Sequence, residues 1–114
     1  MSAAAIAADG TWLATGGSDR AVRIWDTDTG RQRAELTGHA GGVSAVTIAP
    51  DGAWIATAGD DRAVRIWDSA SGLAVAIMRV DAPALACTWS PCGRWIGVGS
   101  RAGAYNFGVK ALVS

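Results

Sequence analysis

The chain has 114 residues, half of them hydrophobic, and its ten basic residues are balanced by ten acidic ones. This length and apolar content suffice for one folded domain with a substantial core, which excludes a disordered chain. The balanced charge lacks the basic surface of a nucleic-acid binder or a membrane-surface protein, so we expect neither partner. The first residues contain no basic segment and no long apolar run, so we predict no signal peptide, no membrane span and a cytoplasmic location.

Two cysteines, Cys87 and Cys92, do not make a disulfide framework in a chain of this size. We interpret Cys87 as a small buried hydrophobic residue and Cys92 as a turn residue, with a structural bridge between them as the alternative. The sequence has no cluster of cysteine and histidine at metal-ligand spacing. We therefore predict no metal site and no cofactor.

An internal repeat dominates the sequence. At a shift of 42 residues the segment 9–30 aligns with the segment 51–72, and 15 of the 22 aligned positions are identical. A weaker third copy, at a shift of 41, covers 92–107. Periods of about 40 to 45 residues are typical of propeller blades rather than of helical arrays.

The local pattern within each unit favours strands. Short β-branched or aromatic runs are separated by turn dipeptides such as Asp-Gly and Ser-Gly, and no segment has a helical period. In the second unit we predict four antiparallel strands, at 43–49, 54–59, 63–67 and 73–80. In the third of these, Val64 and Ile66 alternate with Arg65 and Trp67, so one face is aliphatic and the other carries a charge and an indole. Neighbouring blades can cover both faces.

We therefore predict an all-β chain of three four-stranded antiparallel propeller blades, near residues 2–37, 38–80 and 81–114. Closed propellers usually need four to eight blades, because closure removes exposed sheet edges and covers the terminal faces. Three blades make an incomplete propeller. We expect it to be completed by further blades of a longer polypeptide or by self-association of this chain.

Two sequence signatures mark the second unit, Gly38-His39 before its first strand and Trp67-Asp68 at the end of its third. They resemble the WD-repeat family, whose blades open with Gly-His and end their third strand with Trp-Asp. The resemblance implies a buried tetrad of hydrogen-bonded structural residues, which here are His39, Thr57, Asp61 and Trp67. Such a network stabilises a blade only when all of its polar groups are satisfied together.

The other two units match this pattern less fully. The first keeps a partial tetrad of Thr15, Asp19 and Trp25. The third is degenerate: Val80 stands near the histidine position, Ala102 near the aspartate, and Phe107-Gly108 near Trp-Asp. The near-identical first two units also resemble the C-terminal propellers of bacterial signal-transduction ATPases of the NACHT and NB-ARC-like type. That resemblance implies a sensor segment by analogy.

The tetrad residues also allow a catalytic interpretation, with Thr57 as nucleophile, His39 as base and Asp61 orienting the base. No glycine-rich elbow accompanies them, so we predict no catalytic residue. Asp60 and Asp61 could form a pair of carboxylates for acid–base or calcium chemistry. The tetrad already uses Asp61, and the first unit has Ser18 where the second has Asp60, so we favour the structural interpretation.

The remaining functional surface is the propeller rim, where loops of successive blades converge. The family pattern implies a candidate partner-binding face made of Ser18, Gly42, Ser44, Asp60 and Arg101. We predict a non-enzymatic scaffold or sensor segment that binds proteins. The first strands of the three units hold mostly small and apolar residues, which argues against the alternative of a propeller enzyme or a small-ligand or lectin-like binder using the central channel. A further alternative is a non-functional fragment or a chain designed to test propeller assembly.

Overall fold

The computed structural model describes residues 2–80, 84–90, 95–100 and 103–108, and all their regular structure is β. The first unit supplies β1 (Ser2–Ile6), β2 (Trp12–Gly17), β3 (Ala21–Asp26) and β4 (Gln32–Thr37). The second supplies β5 (Val43–Ile48), β6 (Trp54–Gly59), β7 (Ala63–Asp68) and β8 (Ala74–Arg79). The third supplies β9 (Ala84–Trp89), β10 (Trp95–Ser100) and β11 (Gly103–Gly108). These residues include no helix that could cross a membrane.

The strands form three antiparallel sheets, which we call blades 1, 2 and 3. Blade 1 has the order β1-β2-β3-β4, blade 2 the order β5-β6-β7-β8, and blade 3 the order β9-β10-β11. The four strands predicted for the second unit are confirmed, and each end differs by no more than one residue. Of the three four-stranded blades predicted, the described residues form sheets of four, four and three strands. A fourth strand in the third unit would fall in 109–114, outside the described residues.

Matching turns place the strands of blades 1 and 2 in the same way. Gly52 has a φ of +75° and donates its N–H to the Ala49 carbonyl oxygen at 2.9 Å. Gly10, 42 residues earlier, has a φ of +74° and bonds to Ala7 at the same distance. Glycine adopts this left-handed conformation without the steric cost of a Cβ. The repeated Asp-Gly therefore fixes the same tight turn in both blades.

The core consists of two apolar layers, one between each pair of neighbouring blades. The layer between blades 1 and 2 includes Ala14, Val22, Ile24, Leu36, Val43, Val46, Ile55 and Trp67. The layer between blades 2 and 3 includes Ala45, Ala56, Ala58, Val64, Ile66, Met78, Trp89, Ile96 and Val98. Blade 2 is thus covered on both faces. Val64 and Ile66 face blade 3, while Trp67 faces blade 1, as the alternation along β7 predicts.

Gly16 allows blades 1 and 2 to approach each other closely. A Cβ at this position would lie 2.5 Å from Cγ1 and 2.9 Å from Cβ of Val43 on the neighbouring blade. Such distances are well inside van der Waals contact, so a larger residue would force the two sheets apart. The glycine therefore sets the spacing that lets Val43 pack into the layer between the blades.

Candidate functional site

Four polar side chains form one hydrogen-bonded chain inside blade 2. Trp67 Nε1 donates to Thr57 Oγ1 at 2.9 Å, and Thr57 Oγ1 lies 2.6 Å from His39 Nε2. His39 Nδ1 lies 3.0 Å from Oδ2 of Asp61. Thr57, His39 and Trp67 are all buried. The structure thus brings together the four residues of the tetrad.

The donors and acceptors of this chain can be assigned from one end to the other. Because Thr57 Oγ1 accepts the indole N–H, its own proton is available for His39 Nε2, which leaves Nδ1 as the protonated nitrogen facing Asp61. Burial lowers the pKa of His39 and outweighs the neighbouring Asp61 carboxylate, which acts in the opposite direction. The imidazole is therefore neutral at neutral pH, with its tautomer fixed by the two neighbours.

Asp61 ties the turn before β7 to the loop before β5. Burial alone would raise the pKa of this carboxyl, but the Ala40 N–H at 2.9 Å, the His39 N–H and the Ala63 N–H at 3.2 Å together keep it below its ordinary value. The carboxylate is therefore ionised and accepts three hydrogen bonds. The carboxylate thus joins two points of the backbone, at Ala40 and Ala63, to the imidazole of His39.

Two glycines make room for this network. A Cβ on Gly59 would lie 2.6 Å from the Gly42 carbonyl oxygen and 3.4 Å from His39 Nδ1. A Cβ on Gly38 would lie 3.2 Å from Cη2 of Trp67. The glycine of the Gly-His signature thus lets the chain pass directly over the indole that the tetrad holds.

The buried position of the network determines its chemistry. Thr57 has no exposed surface, and its hydroxyl already bonds both His39 and Trp67. A substrate therefore has no access to the oxygen that the catalytic interpretation would make the nucleophile. The arrangement can stabilise the blade, because every donor and acceptor in it is satisfied where water is excluded.

Blade 1 contains the partial tetrad in a different state. Trp25 Nε1 donates to Thr15 Oγ1 at 2.9 Å, as in blade 2. Asp19 accepts the Ala21 N–H at 3.3 Å and forms an ion pair with Arg23, whose Nη1 lies 2.5 Å from Oδ2. The hydrogen bond from Arg23 lowers the pKa of Asp19, whose side chain is exposed. The three residues therefore do not form one continuous network here.

The structure brings three residues of the candidate partner-binding face together at the boundary of blades 1 and 2. Asp60 donates its N–H to the Gly42 carbonyl at 2.9 Å. A Cβ on Gly42 would lie 3.4 Å from Asp60 Oδ2 and 3.4 Å from the Cα of Ser18. Ser18 and Asp60 are exposed and Ser44 is half-buried. Arg101, the bulky member of the predicted face, lies outside the described residues.

Two exposed arginines in the same turns were not assigned to this face from the sequence. Arg20 follows Ser18-Asp19 with a φ of +70°, and Arg62 follows Asp60-Asp61 with a φ of +61°. Arginine is among the residue types that contribute most at protein interfaces. The signal available in the sequence is the Asp-Arg pair at the same place in both units. It adds two cations to a surface that otherwise offers small side chains.

The described residues provide no group of three metal-ligating side chains. Cys87 is half-buried at the edge of the layer between blades 2 and 3, and its Sγ lies 3.7 Å from the Ala56 carbonyl oxygen. Burial raises the pKa of its thiol to about 12, which makes it unreactive near neutral pH. Cys92 lies outside the described part of the chain, so the bridge between the two cysteines stays an untested alternative.

The stacked antiparallel sheets and the His–Thr–Asp–Trp network define a segment of a WD-repeat β-propeller. The family model for the WD domain, G-beta repeat, matches residues 1–26 and 30–68, more than half of the chain, and the chain belongs to this family. Each matched segment ends at a Trp-Asp pair. WD repeats generally mediate protein–protein interaction.

One relative is the nuclear distribution protein PAC1-1 of Uncinocarpus reesii (strain UAMH 1704). It is 52% identical to this chain over 31 residues. The match covers 27% of this chain and 7% of the relative. The match therefore supports the assignment of this segment as a WD repeat. It says nothing about the activity of the rest of the relative.

Proposed function

We propose that this chain is a non-enzymatic scaffold or sensor segment of a WD-repeat propeller, with outer faces completed by further blades or by a second copy. One observation carries the proposal: the outward faces of blades 1 and 3 expose apolar residues whose repeat equivalents are covered. Ile6 is 67% exposed, whereas Ile48, 42 residues later, packs against the layer between blades 1 and 2. Trp95 is 53% exposed, whereas its equivalent Trp12 is only 8% exposed.

The exposed faces favour association on general grounds. Covering apolar surface contributes about 25 cal/mol per Å², and repeat arrays gain most of their stability from contacts between neighbouring units. In the chain itself, blade 1 covers the inward face of blade 2 in the same way that a further blade would cover blade 1. The surface best suited to the open face of blade 1 is therefore the face of another blade.

A protein partner at the rim completes the proposal. Ser18, Gly42 and Asp60 offer small side chains at the junction of blades 1 and 2, and Arg20 and Arg62 add charge at its edge. The proposed partner-binding face also includes Ser44 and Arg101. A role as the sensor end of a bacterial signalling ATPase is part of this proposal and rests on the resemblance of the first two units. The cytoplasmic location expected from the sequence is proposed with it.

The alternative of a small-ligand site finds little support in the described residues. A shallow depression of about 280 Å³ on blade 3 is lined mainly by small side chains such as Ala86, Gly97, Gly99 and Ala104. Thr88 supplies the only hydroxyl of the described lining. Ligand sites need several polar groups that converge on one place. We therefore interpret this depression as part of the open face of blade 3, which a further blade would cover.

Light scattering coupled to gel filtration tests the proposal on the purified chain. We expect a mass above the monomer value of 11.6 kDa that increases with concentration over the micromolar range. Ile6→Lys and Trp95→Lys place charges on the open faces and should shift the chain toward monomer. Thr29→Lys adds the same charge in an exposed turn and should leave the mass unchanged. A well-folded wild-type monomer at every concentration would contradict the proposal.

A further inference from the structure

The outer edge of blade 2 is apolar where the outer edge of blade 1 is charged. Three exposed residues at the start of β8 and along it are Leu73 (67% exposed), Val75 (40%) and Ile77 (48%). The residues 42 positions earlier are Arg31, Arg33 and Glu35. Leu73 directly precedes β8, and Val75 lies at a β-bulge, because Ala76 pairs with Ile66 whereas Ala74 pairs with Trp67. The three residues therefore share the outer edge of blade 2 without strict alternation along one face. We call them the β8 strip.

In blade 1 the charged residues at these positions form ion pairs within the blade. Arg23 on β3 pairs with Asp19 and also with Glu35, with 3.2 Å between Nη2 and Oε1 of Glu35. Arg33 pairs with Asp26. The guanidinium on the third strand thus has two carboxylates of its own chain beside it.

In blade 2 the equivalent guanidinium has lost both of these partners. Arg65 stands at the position of Arg23, and its cross-strand neighbour is Ile77 in place of a glutamate. Asp61, at the position of Asp19, bonds His39 instead. Within the described residues, Nε of Arg65 is buried without a hydrogen-bond partner. A buried donor without an acceptor is unfavourable. Because Nε itself is shielded from solvent, a carboxylate from a partner would pair with the Nη groups, as Glu35 does with Nη2 of Arg23.

The surroundings of Arg65 add to this positive charge. Arg79 is exposed two residues after Ile77, on the same face of β8. Arg62 is exposed in the turn before β7, and its carbonyl accepts the Val80 N–H at 3.0 Å, at the end of β8. The strip therefore runs from an apolar end at Leu73 to a basic end. β8 is also the edge strand of its sheet, which leaves one side of its backbone open to an extended chain.

We propose that the β8 strip and Arg65 form a binding site for an extended, acidic and apolar segment of a partner protein. Apolar side chains of that segment pack on Leu73 and Val75, and its carboxylate enters over Ile77 to pair with Arg65. The carboxylate takes the role that Glu35 has beside Arg23 in blade 1. This site rests on the proposed function only in that both assign protein binding, and it lies apart from the rim and the open blade faces.

Fluorescence anisotropy with a labelled synthetic peptide tests the site. The probe is a short threonine-rich peptide with two valines and one glutamate at alternate positions, and the matched peptide carries glutamine in place of glutamate. We expect the folded wild-type chain to bind the glutamate peptide at least about tenfold more tightly than the glutamine peptide. Arg65→Gln should remove this preference, whereas Arg23→Gln in blade 1 should keep it.

A second variant keeps the test independent of any damage by Arg65→Gln. Ile77→Glu restores the carboxylate of blade 1 beside Arg65, so the variant should fold with an unchanged β-sheet circular dichroism spectrum and should no longer bind the peptide. Asp28→Ala, in the exposed turn before β4, should leave the affinity unchanged. No binding to the wild-type chain, or equal binding by Ile77→Glu, overturns the proposal.

The assembly state separates this inference from the proposed function. If Ile77→Glu lowers the mass in light scattering without changing peptide binding, the strip is occupied by a second copy and the acidic-segment proposal is wrong. If peptide binding fails while Ile6→Lys and Trp95→Lys still shift the mass, the open-face proposal stands and only this site is lost.

Discussion

Blades 1 and 2 share the strand sequence Ala-Val-Arg-Ile-Trp-Asp, yet the aspartate in the turn before it is used differently in each. In blade 2, Asp61 accepts the His39 N–H and joins a buried network. In blade 1, Asp19 pairs with Arg23 near the surface. The comparison indicates that the histidine, rather than the strand, decides whether this carboxylate is bound into the blade.

The same hydrogen bond also stands in two environments. The indole-to-threonine distance is 2.9 Å in both blades, between Trp67 and Thr57 and between Trp25 and Thr15. Thr57 and Trp67 are buried because blade 1 covers them, whereas Thr15 and Trp25 are half-buried on an open face. A lost hydrogen bond costs more where water cannot replace it. The two hydrogen bonds have the same length, but we expect the buried one in blade 2 to contribute more to the free energy of unfolding.

The largest difference between the blades should come from the aspartates. Asp61→Ala leaves the His39, Ala40 and Ala63 N–H groups without their acceptor, and each buried donor left unsatisfied typically costs about 1–3 kcal/mol. Urea unfolding followed by tryptophan fluorescence measures the change in the free energy of unfolding. Asp19→Ala, the matched change in blade 1, should cost far less because the carboxylate is exposed. Equal losses would mean that the histidine adds nothing to the network.

The two threonines test the same comparison between blades 1 and 2, with a smaller expected loss of stability. Thr57→Val keeps the shape of the side chain but leaves the Trp67 N–H and His39 Nε2 without their common partner, at a cost of about 1–3 kcal/mol. Thr15→Val removes a single bond at a half-buried site, where water can take over, and should cost less than about 1 kcal/mol. Thermal unfolding of both variants checks the order. A reversed order would show that burial by blade 1 is not what strengthens the bond.

The repeat allowed most of the fold to be predicted from the sequence. Strand alternation and Asp-Gly turns are local properties, so they placed β5 to β8 to within one residue at each end. The tetrad could be located because both Gly38-His39 and Trp67-Asp68 mark fixed points of the unit. The fourth strand predicted for the third unit stays a prediction, because it would fall in 109–114, outside the described residues.

Exposure could not be predicted from the repeat, because it depends on which neighbour covers a face. Trp12 and Trp95 are equivalent in the sequence, but the first is buried against blade 2 and the second is exposed. The sequence also did not predict that Nε of Arg65 would be buried without a hydrogen-bond partner. Its loss of an acceptor follows from the pairing of Arg65 with Ile77 across β7 and β8 and from the hydrogen bond of Asp61 to His39. Neither contact can be read from one unit alone.

The pH dependence of stability should distinguish the two blades through a single group, because His39 is the only histidine of the chain. Its pKa is lowered in the folded state by burial, so the unfolded chain binds a proton at a higher pH than the folded chain. The free energy of unfolding should therefore decrease as the pH falls below about 6.5 and should level off below the folded pKa. Urea unfolding between neutral and mildly acid pH measures this slope.

The control for this prediction is His39→Gln, which removes the titrating group and should remove the slope in that pH window. Blade 1 has no histidine and cannot contribute to it. Stability that increases as the pH falls would contradict the prediction, because it would require a folded pKa above the unfolded one. That result would mean that the Asp61 carboxylate outweighs burial.

The smallest effects should come from the two equivalent arginines. Arg23→Met removes exposed ion pairs with Asp19 and Glu35, so it should lower the melting temperature slightly at low salt and leave it unchanged at high salt, where such pairs are screened. Arg65→Met removes a buried donor that has no partner in blade 2 and adds apolar surface beside Ile77. It should therefore leave the melting temperature equal or higher at both salt concentrations. A loss of stability specific to Arg65→Met would show that blade 2 already satisfies this arginine and needs no acceptor from a partner.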